Sequence, residues 1–129
     1  MQARDPHRFV NELDVAATER LIARLENRAK DAVFIRLFEK YVAELALSPS
    51  ANILEVGCGT GAMLRLLARR GFQGRALGID QSPLFVEAAR VFAEKEGVGD
   101  RIAFRVGDAH KIDMPDDSFD AVIVNTVIS

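Results

Sequence analysis

The sequence is poor in the residues that cross-link or anchor a small protein. It contains a single cysteine, Cys58, which excludes both an intramolecular disulfide and a zinc site built on cysteines. It also shows no charged N-terminal segment followed by an apolar one, and no apolar run long enough to span a bilayer. These absences predict a cytoplasmic protein that is neither secreted nor inserted into a membrane.

An excess of charge of either sign is missing as well. The net charge is -2, and basic and acidic residues occur in similar numbers before and after residue 50. No basic region is therefore available to bind nucleic acid, and we expect no such partner. Four arginines lie close together in the sequence, and we interpret them as the solvated face of a helix: Arg65, Arg69, Arg70 and Arg75.

The first third of the chain has the composition of helices. From Asp14, which we predict to be an N-cap, to Leu45 there is neither glycine nor proline. Apolar residues form two stripes that are out of phase across residues 26–31, so one bent helix and two helices are both possible. We expect residues 1–13 to be a loosely held lead-in and residues 1–50 to form an N-terminal helical cap.

Short apolar segments alternate with helical ones after residue 50. Four of them have strand composition: residues 52–56, 74–80, 101–107 and 119–125. Strands that alternate with helices predict an α/β fold with a parallel sheet covered on both faces. We expect residues 51–129 to form this core and to make one domain with the helical cap.

Three glycines follow the first predicted strand within five positions: Gly57, Gly59 and Gly61. The carboxyl ends of parallel strands lie on one rim of the sheet, and ligands bind at that rim. Glycine there permits a tight turn and lets ligand atoms approach the backbone. The spacing predicts a pocket for a nucleotide-like ligand.

An acidic residue, Asp80, ends the second predicted strand. It lies roughly 20 positions beyond the glycines, where a carboxylate reaches the ribose hydroxyls in dinucleotide-binding folds. The alternative is a residue that only starts the next helix. Spacing does not separate a nicotinamide cofactor from another adenosine-containing one, because Ala62 can replace the third glycine of the dinucleotide motif.

Three motifs in order, "LEVGCGTG", "GIDQS" and "VGDAHKIDMPDDSFDAVIVN", resemble class I S-adenosylmethionine-dependent methyltransferases. The resemblance is to the ubiquinone and menaquinone biosynthesis enzymes (methyltransferase type 11) and covers residues 51–129. It implies a Rossmann-like, doubly wound sheet with S-adenosyl-L-methionine as cofactor and S-adenosyl-L-homocysteine as product. It also implies methyl transfer to a small-molecule acceptor, without a metal and without a universal catalytic residue.

The same resemblance assigns residues to the cofactor. The glycine loop would hold its amino-acid part, through Glu55, Gly57, Cys58, Gly59 and Gly61. Asp80 would bind the ribose hydroxyls and Gln81 would flank the adenine. Asp108 and Ala109 would meet the adenine amino group and edge. Asn125 would lie beside the methyl donor, although a polar strand end is an equal alternative.

The resemblance finally predicts how the chain is completed. Family members continue after the fourth strand, so we expect the cofactor-binding half of an enzyme, truncated after that strand. An uncovered edge at residues 119–125 would then drive self-association or pair with a missing half. Helices that precede the loop commonly cover the cofactor in this family, which would bring Arg28 or Tyr41 near the ligand. The alternatives are a non-catalytic cofactor-binding fragment and an NAD-dependent oxidoreductase domain.

Overall fold

The structure is a computed structural model that describes residues 6–108 and 119–124, with the backbone alone for residues 6–14. The helices within these residues are α1 (Pro6–Ala29), α2 (Ala32–Leu45), α3 (Ala62–Arg69) and α4 (Pro83–Lys95). The strands are β1 (Ile53–Val56), β2 (Ala76–Asp80), β3 (Ile102–Val106) and β4 (Ala121–Val124). Each predicted strand is thus observed. The first three are one or two residues shorter than predicted, and the fourth begins two residues later, while its predicted last residue, Asn125, lies outside the described part of the chain.

The N-terminal region consists of two helices rather than one bent helix. Asp31 separates them, and its Oδ1 accepts hydrogen bonds from the amides of Val33 at 2.8 Å and Phe34 at 3.3 Å. This N-cap starts α2 in a new direction, which explains why the two apolar stripes are out of phase. The prediction of a lead-in that ends at Asp14 was wrong: α1 already begins at Pro6, because proline is tolerated in a first helical turn.

The four strands form one parallel sheet in the order β3-β2-β1-β4. The connections through α3 and through α4 both step toward β3, so right-handed crossovers place these two helices on the same face. The next strand, β4, pairs with the opposite side of β1. The strand order therefore reverses at β1, which is the position where open α/β sheets bind ligands.

The core lies between the sheet and the two crossover helices. Val86, Ala89 and Ala93 form the buried side of α4, and the sheet contributes Ile53 and Phe104 among others. Helix α1 packs across α3 and α4. Because α1 covers the helical layer, it also reaches the loop that connects β1 to α3.

The β4 edge is less covered than the centre of the sheet. Val122 and Val124 are 58% and 66% exposed, whereas Ile123 between them is buried. None of the helices within the described residues combines the length and the apolar character needed to cross a bilayer.

Candidate functional site

The loop between β1 and α3 has a backbone that strongly favours glycine. Gly57, Gly59 and Gly61 have φ values of +73°, +58° and +74°, in the left-handed region that side chains disfavour. The amides of Gly57 and Cys58 both donate to the carbonyl of Ile79 in β2, at 2.7 and 3.0 Å. Main-chain hydrogen bonds thus hold the loop against the end of the neighbouring strand.

Two of these glycines have different surroundings. A Cβ on Gly61 would overlap the ring of Phe104, so this position permits close packing of α3 against the sheet. A Cβ on Gly59 would meet only Leu25 of α1, at 3.6 Å. Gly59 therefore lies at an open surface of the loop, and Gly61 lies at a closed one.

Asp80 joins the glycine loop to the start of α4. Its Oδ2 accepts a hydrogen bond from the amide of Gly59 at 2.9 Å, and its Oδ1 accepts one from the amide of Ser82 at 2.9 Å. Asp80 therefore does bond to the residue that starts the next helix, as the alternative interpretation predicted. Because a carboxylate offers about four acceptor positions, the side chain can still accept hydrogen bonds from a ligand.

A cavity opens beside this loop, between two walls. The inner wall consists of the glycine loop, the first turn of α3, the end of β2 and the first turn of α4. The outer wall consists of α1 and the start of α2. The described lining residues are Leu21, Leu25, Arg28, Ala29, Phe34, Gly57, Cys58, Gly59, Thr60, Ala62, Met63, Asp80 and Phe85.

The lining of the cavity has one positive and one negative side chain among the described residues. Arg28 comes from the outer wall and Asp80 from the inner wall. Aliphatic and aromatic side chains make up most of the remaining surface. The N-cap residue of α3 is Gly61, which has no side chain to accept a hydrogen bond from the first helical turn. Such a cavity suits a ligand with flat apolar parts, hydroxyl groups and at least one charged end.

Cys58 contributes to the loop as a small buried residue. Burial raises the pKa of its thiol, and the negative charges of Glu55 and Asp80 raise that pKa further. The thiol donates to the carbonyl of Gly59 at 3.6 Å. Since a nucleophilic cysteine needs a lowered pKa, Cys58 is not an activated thiolate.

The other predicted site residues are distributed around this cavity. Glu55 is fully buried in β1, Gln81 is exposed directly after β2, and Asp108 is partly buried after β3. These three are not among the described lining residues, and Ala109 and Asn125 lie outside the described part of the chain. Of the two cap residues expected near the ligand, Arg28 lines the cavity. Tyr41 is not among the described lining residues.

The interpretation of Arg65 as a solvated surface residue was wrong. It is 2% exposed, because α1 covers α3 and because Glu26 and Glu96 both pair with its guanidinium. Arg65 lies in a run of five buried residues, 64–68. The sequence gives only a weak indication that this arginine is buried with its neighbours. Sequence reasoning also missed Thr60, whose side chain is buried in the loop, and Glu26.

The fold and the cavity together define a Rossmann-like domain with a cavity at the switch point of its sheet. Residues 53–129 match the sequence model of the family described as a methyltransferase domain. The chain belongs to this family, the class I S-adenosylmethionine-dependent methyltransferases.

Individual proteins support the same assignment. The chain is 37% identical over 86 residues to a sterol 24-C-methyltransferase of Yarrowia lipolytica, covering 65% of this chain and 22% of the relative. It is 34% identical over 93 residues to a probable chloroplastic tocopherol O-methyltransferase of Oryza sativa subsp. japonica, covering 68% and 25%. A solved S-adenosylmethionine-dependent methyltransferase of Geobacter sulfurreducens, in complex with S-adenosylhomocysteine, matches with a TM-score of 0.61. Its identity is 34%, and the match covers 70% of this chain and 35% of that one.

The lengths of these proteins differ from that of this chain. The chain spans about a quarter of the length of the two curated relatives. The family match, over residues 53–129, includes the glycine loop and the strands β1 to β4.

Proposed function

We propose that this chain binds S-adenosylmethionine and belongs to a protein that transfers its methyl group to a small-molecule acceptor. The carrying observation is the glycine loop that is bonded to Asp80 at the switch point of the sheet. A sterol and a tocopherol are the acceptors in the names of two relatives, which supports a small-molecule acceptor. After Asn125 the sequence reads TVIS and lacks the Pro-Pro-aromatic run that is typical of many related enzymes that methylate amino groups. This difference favours an oxygen or carbon atom as the methylated position.

The described residues fit the cofactor by their chemistry. Asp80 can accept hydrogen bonds from the ribose hydroxyls, and the open side of the loop at Gly59 admits the amino-acid part. Arg28 supplies a positive charge suited to the cofactor's carboxylate. The predicted contacts of Gln81, Asp108, Ala109 and Asn125 with the adenine and the methyl donor complete this proposal.

The bound cofactor supplies a methyl group that its sulfonium charge has already activated. The chain's own contribution is to bind, orient and exclude water. The two walls of the cavity would serve this purpose, because Leu21, Leu25 and Phe34 line the cavity together with the glycine loop and would shield a ligand bound there from water. None of the described residues is required as a base in this proposal.

Calorimetry with S-adenosylhomocysteine and with NAD tests the cofactor. We expect the first ligand alone to bind, and binding of NAD alone would favour an oxidoreductase domain. Asp80→Asn should weaken S-adenosylhomocysteine binding by about tenfold or more, since a hydrogen bond to a charged group contributes roughly 1.5–3 kcal/mol.

Asp120→Asn is the matched control for that variant. Asp120 also accepts a main-chain hydrogen bond, from Asn52 at 2.7 Å, but at the opposite end of the sheet. The affinity of the Asp120→Asn variant for S-adenosylhomocysteine should stay unchanged. Equal affinities for the two variants and the native chain would remove the ligand role of Asp80.

Self-association and a cytoplasmic location are further parts of this proposal. Exposed Val122 and Val124 on β4, together with Val33, Leu37 and Tyr41 at helical spacing on α2, support association. Sedimentation should show a dimer or larger species at micromolar concentration. A stable monomer would contradict the association.

A further inference from the structure

A cluster around the buried side chain of Arg65 joins α1 to the glycine loop, and of its members only Thr60 also lines the cavity. We define the Arg65 cluster as Glu26, Thr60, Arg65 and Glu96. Arg65 Nη2 donates to Glu26, and Nη1 donates to Glu96 Oε2 at 2.6 Å. The guanidinium also lies 4.8 Å from the ring centroid of Phe92, so both its edge and its face are occupied.

The same cluster holds Thr60, the loop residue between Gly59 and Gly61. Arg65 Nε donates to the carbonyl of Thr60 at 3.2 Å. The hydroxyl of Thr60 donates to Glu26 Oε2 at 2.6 Å. One carboxylate from α1 is therefore bonded both to the arginine and to the loop, and the arginine is bonded to the loop as well.

Glu26 lies between two residues that line the cavity. Leu25 precedes it and faces Gly59, and Arg28 follows it within the same helical turn. Rotation or departure of α1 would move both lining residues. It would also remove the partner of Thr60, so the position of the outer wall and the shape of the inner wall depend on the same bonds.

We propose that Arg65 and Glu26 are positioning residues that couple the docking of α1 to the geometry of the glycine loop, so that α1 and the adenosyl cofactor stabilise each other. This inference rests on the proposed function for its ligand. Arginine suits the role because its planar fork donates to both carboxylates while its Nε bonds the loop. Glu26 and Glu96 remain partly exposed, so α1 can separate without leaving two fully buried charges.

Glu26→Gln is the test variant, because it keeps the size of the side chain and removes the charge. We expect amide hydrogen exchange in the ligand-free chain to become faster in both residues 15–29 and residues 57–61. The affinity for S-adenosylhomocysteine should fall about tenfold, a magnitude typical of coupled sites. Exchange in β3 (Ile102–Val106) of the ligand-free variant should stay at the native rate, whereas a general loss of stability would make it faster there too.

Glu39→Gln is the matched control. Glu39 of α2 also pairs with an arginine, Arg70, which directly follows α3, but both side chains of that pair are 47% exposed. Its exchange rates and affinity should equal those of the native chain. Arg65→Lys should resemble Glu26→Gln, since a lysine keeps the charge and loses the fork.

Several results would overturn the coupling. Unchanged exchange in both segments of Glu26→Gln would do so, as would faster exchange in residues 15–29 with native rates in residues 57–61. Native affinity of Glu26→Gln would also contradict it. If the native chain fails to bind S-adenosylhomocysteine, the proposed function fails, while the exchange rates of the ligand-free variants still decide whether α1 and the loop are coupled.

Discussion

The two walls of the cavity are held in place by different kinds of bonds. The inner wall is fixed by main-chain geometry: positive φ values in the loop and amides that donate to β2. The outer wall, α1, is fixed to that loop by side chains, above all by Arg65 and Glu26. The inner wall therefore tolerates few residue types at its glycines, whereas the attachment of α1 to the loop depends on ion pairs around one buried arginine, which other residues could replace.

The largest expected effect is damage to the inner wall by Gly61→Ala. An alanine at position 61 would have to adopt a left-handed φ of +74°, and its Cβ would overlap the Phe104 ring. Strain and overpacking together should lower the free energy of unfolding by about 4 kcal/mol. Denaturant unfolding measures this value.

Gly97→Ala separates the two costs of that substitution. Gly97 has a φ of +75°, yet a Cβ there would meet nothing within 4 Å. The Gly97→Ala variant should lose about 1 kcal/mol of unfolding free energy, which is the cost of the left-handed backbone conformation alone. If both variants lose equal stability, the contact with Phe104 does not restrict position 61.

The second effect concerns the outer wall. Arg65→Met removes the guanidinium but leaves the carboxylates of Glu26 and Glu96 near each other, which should lower the free energy of unfolding by about 3 kcal/mol. Arg70→Met removes an exposed ion pair with Glu39 and should cost less than about 1 kcal/mol. Denaturant unfolding of both variants tests the contrast. Similar losses would mean that burial of the ion pair adds nothing to the attachment of α1.

The difference between a wall fixed by main-chain geometry and a wall fixed by side chains also explains which features the sequence could predict. Gly57, Gly59, Gly61 and Asp80 were found from spacing because backbone geometry restricts which residues can stand there. The strands of the parallel sheet were found from their apolar runs for a similar reason. The fold and the inner wall could therefore be predicted from the sequence.

The outer wall was only partly accessible. The apolar stripe with Leu21 and Leu25 predicted a buried helix face, but periodicity does not say which surface that face covers. Arg65 was misread because burial of an arginine depends on carboxylates far away in the sequence, here 39 and 31 positions distant. Pairing across such separations is a property of the folded chain, and one sequence carries no record of it.

The smallest expected effect concerns a direct contact between the outer wall and the ligand. Arg28→Met should weaken S-adenosylhomocysteine binding about fivefold, since one partly exposed charge contact contributes roughly 1 kcal/mol. Binding of 5′-methylthioadenosine, which lacks the amino-acid part, should stay unchanged. Arg24→Met, on α1 but not among the described lining residues, is the control and should affect neither ligand. Equal weakening of both ligands by Arg28→Met would mean that Arg28 supports the cavity wall instead of binding the carboxylate.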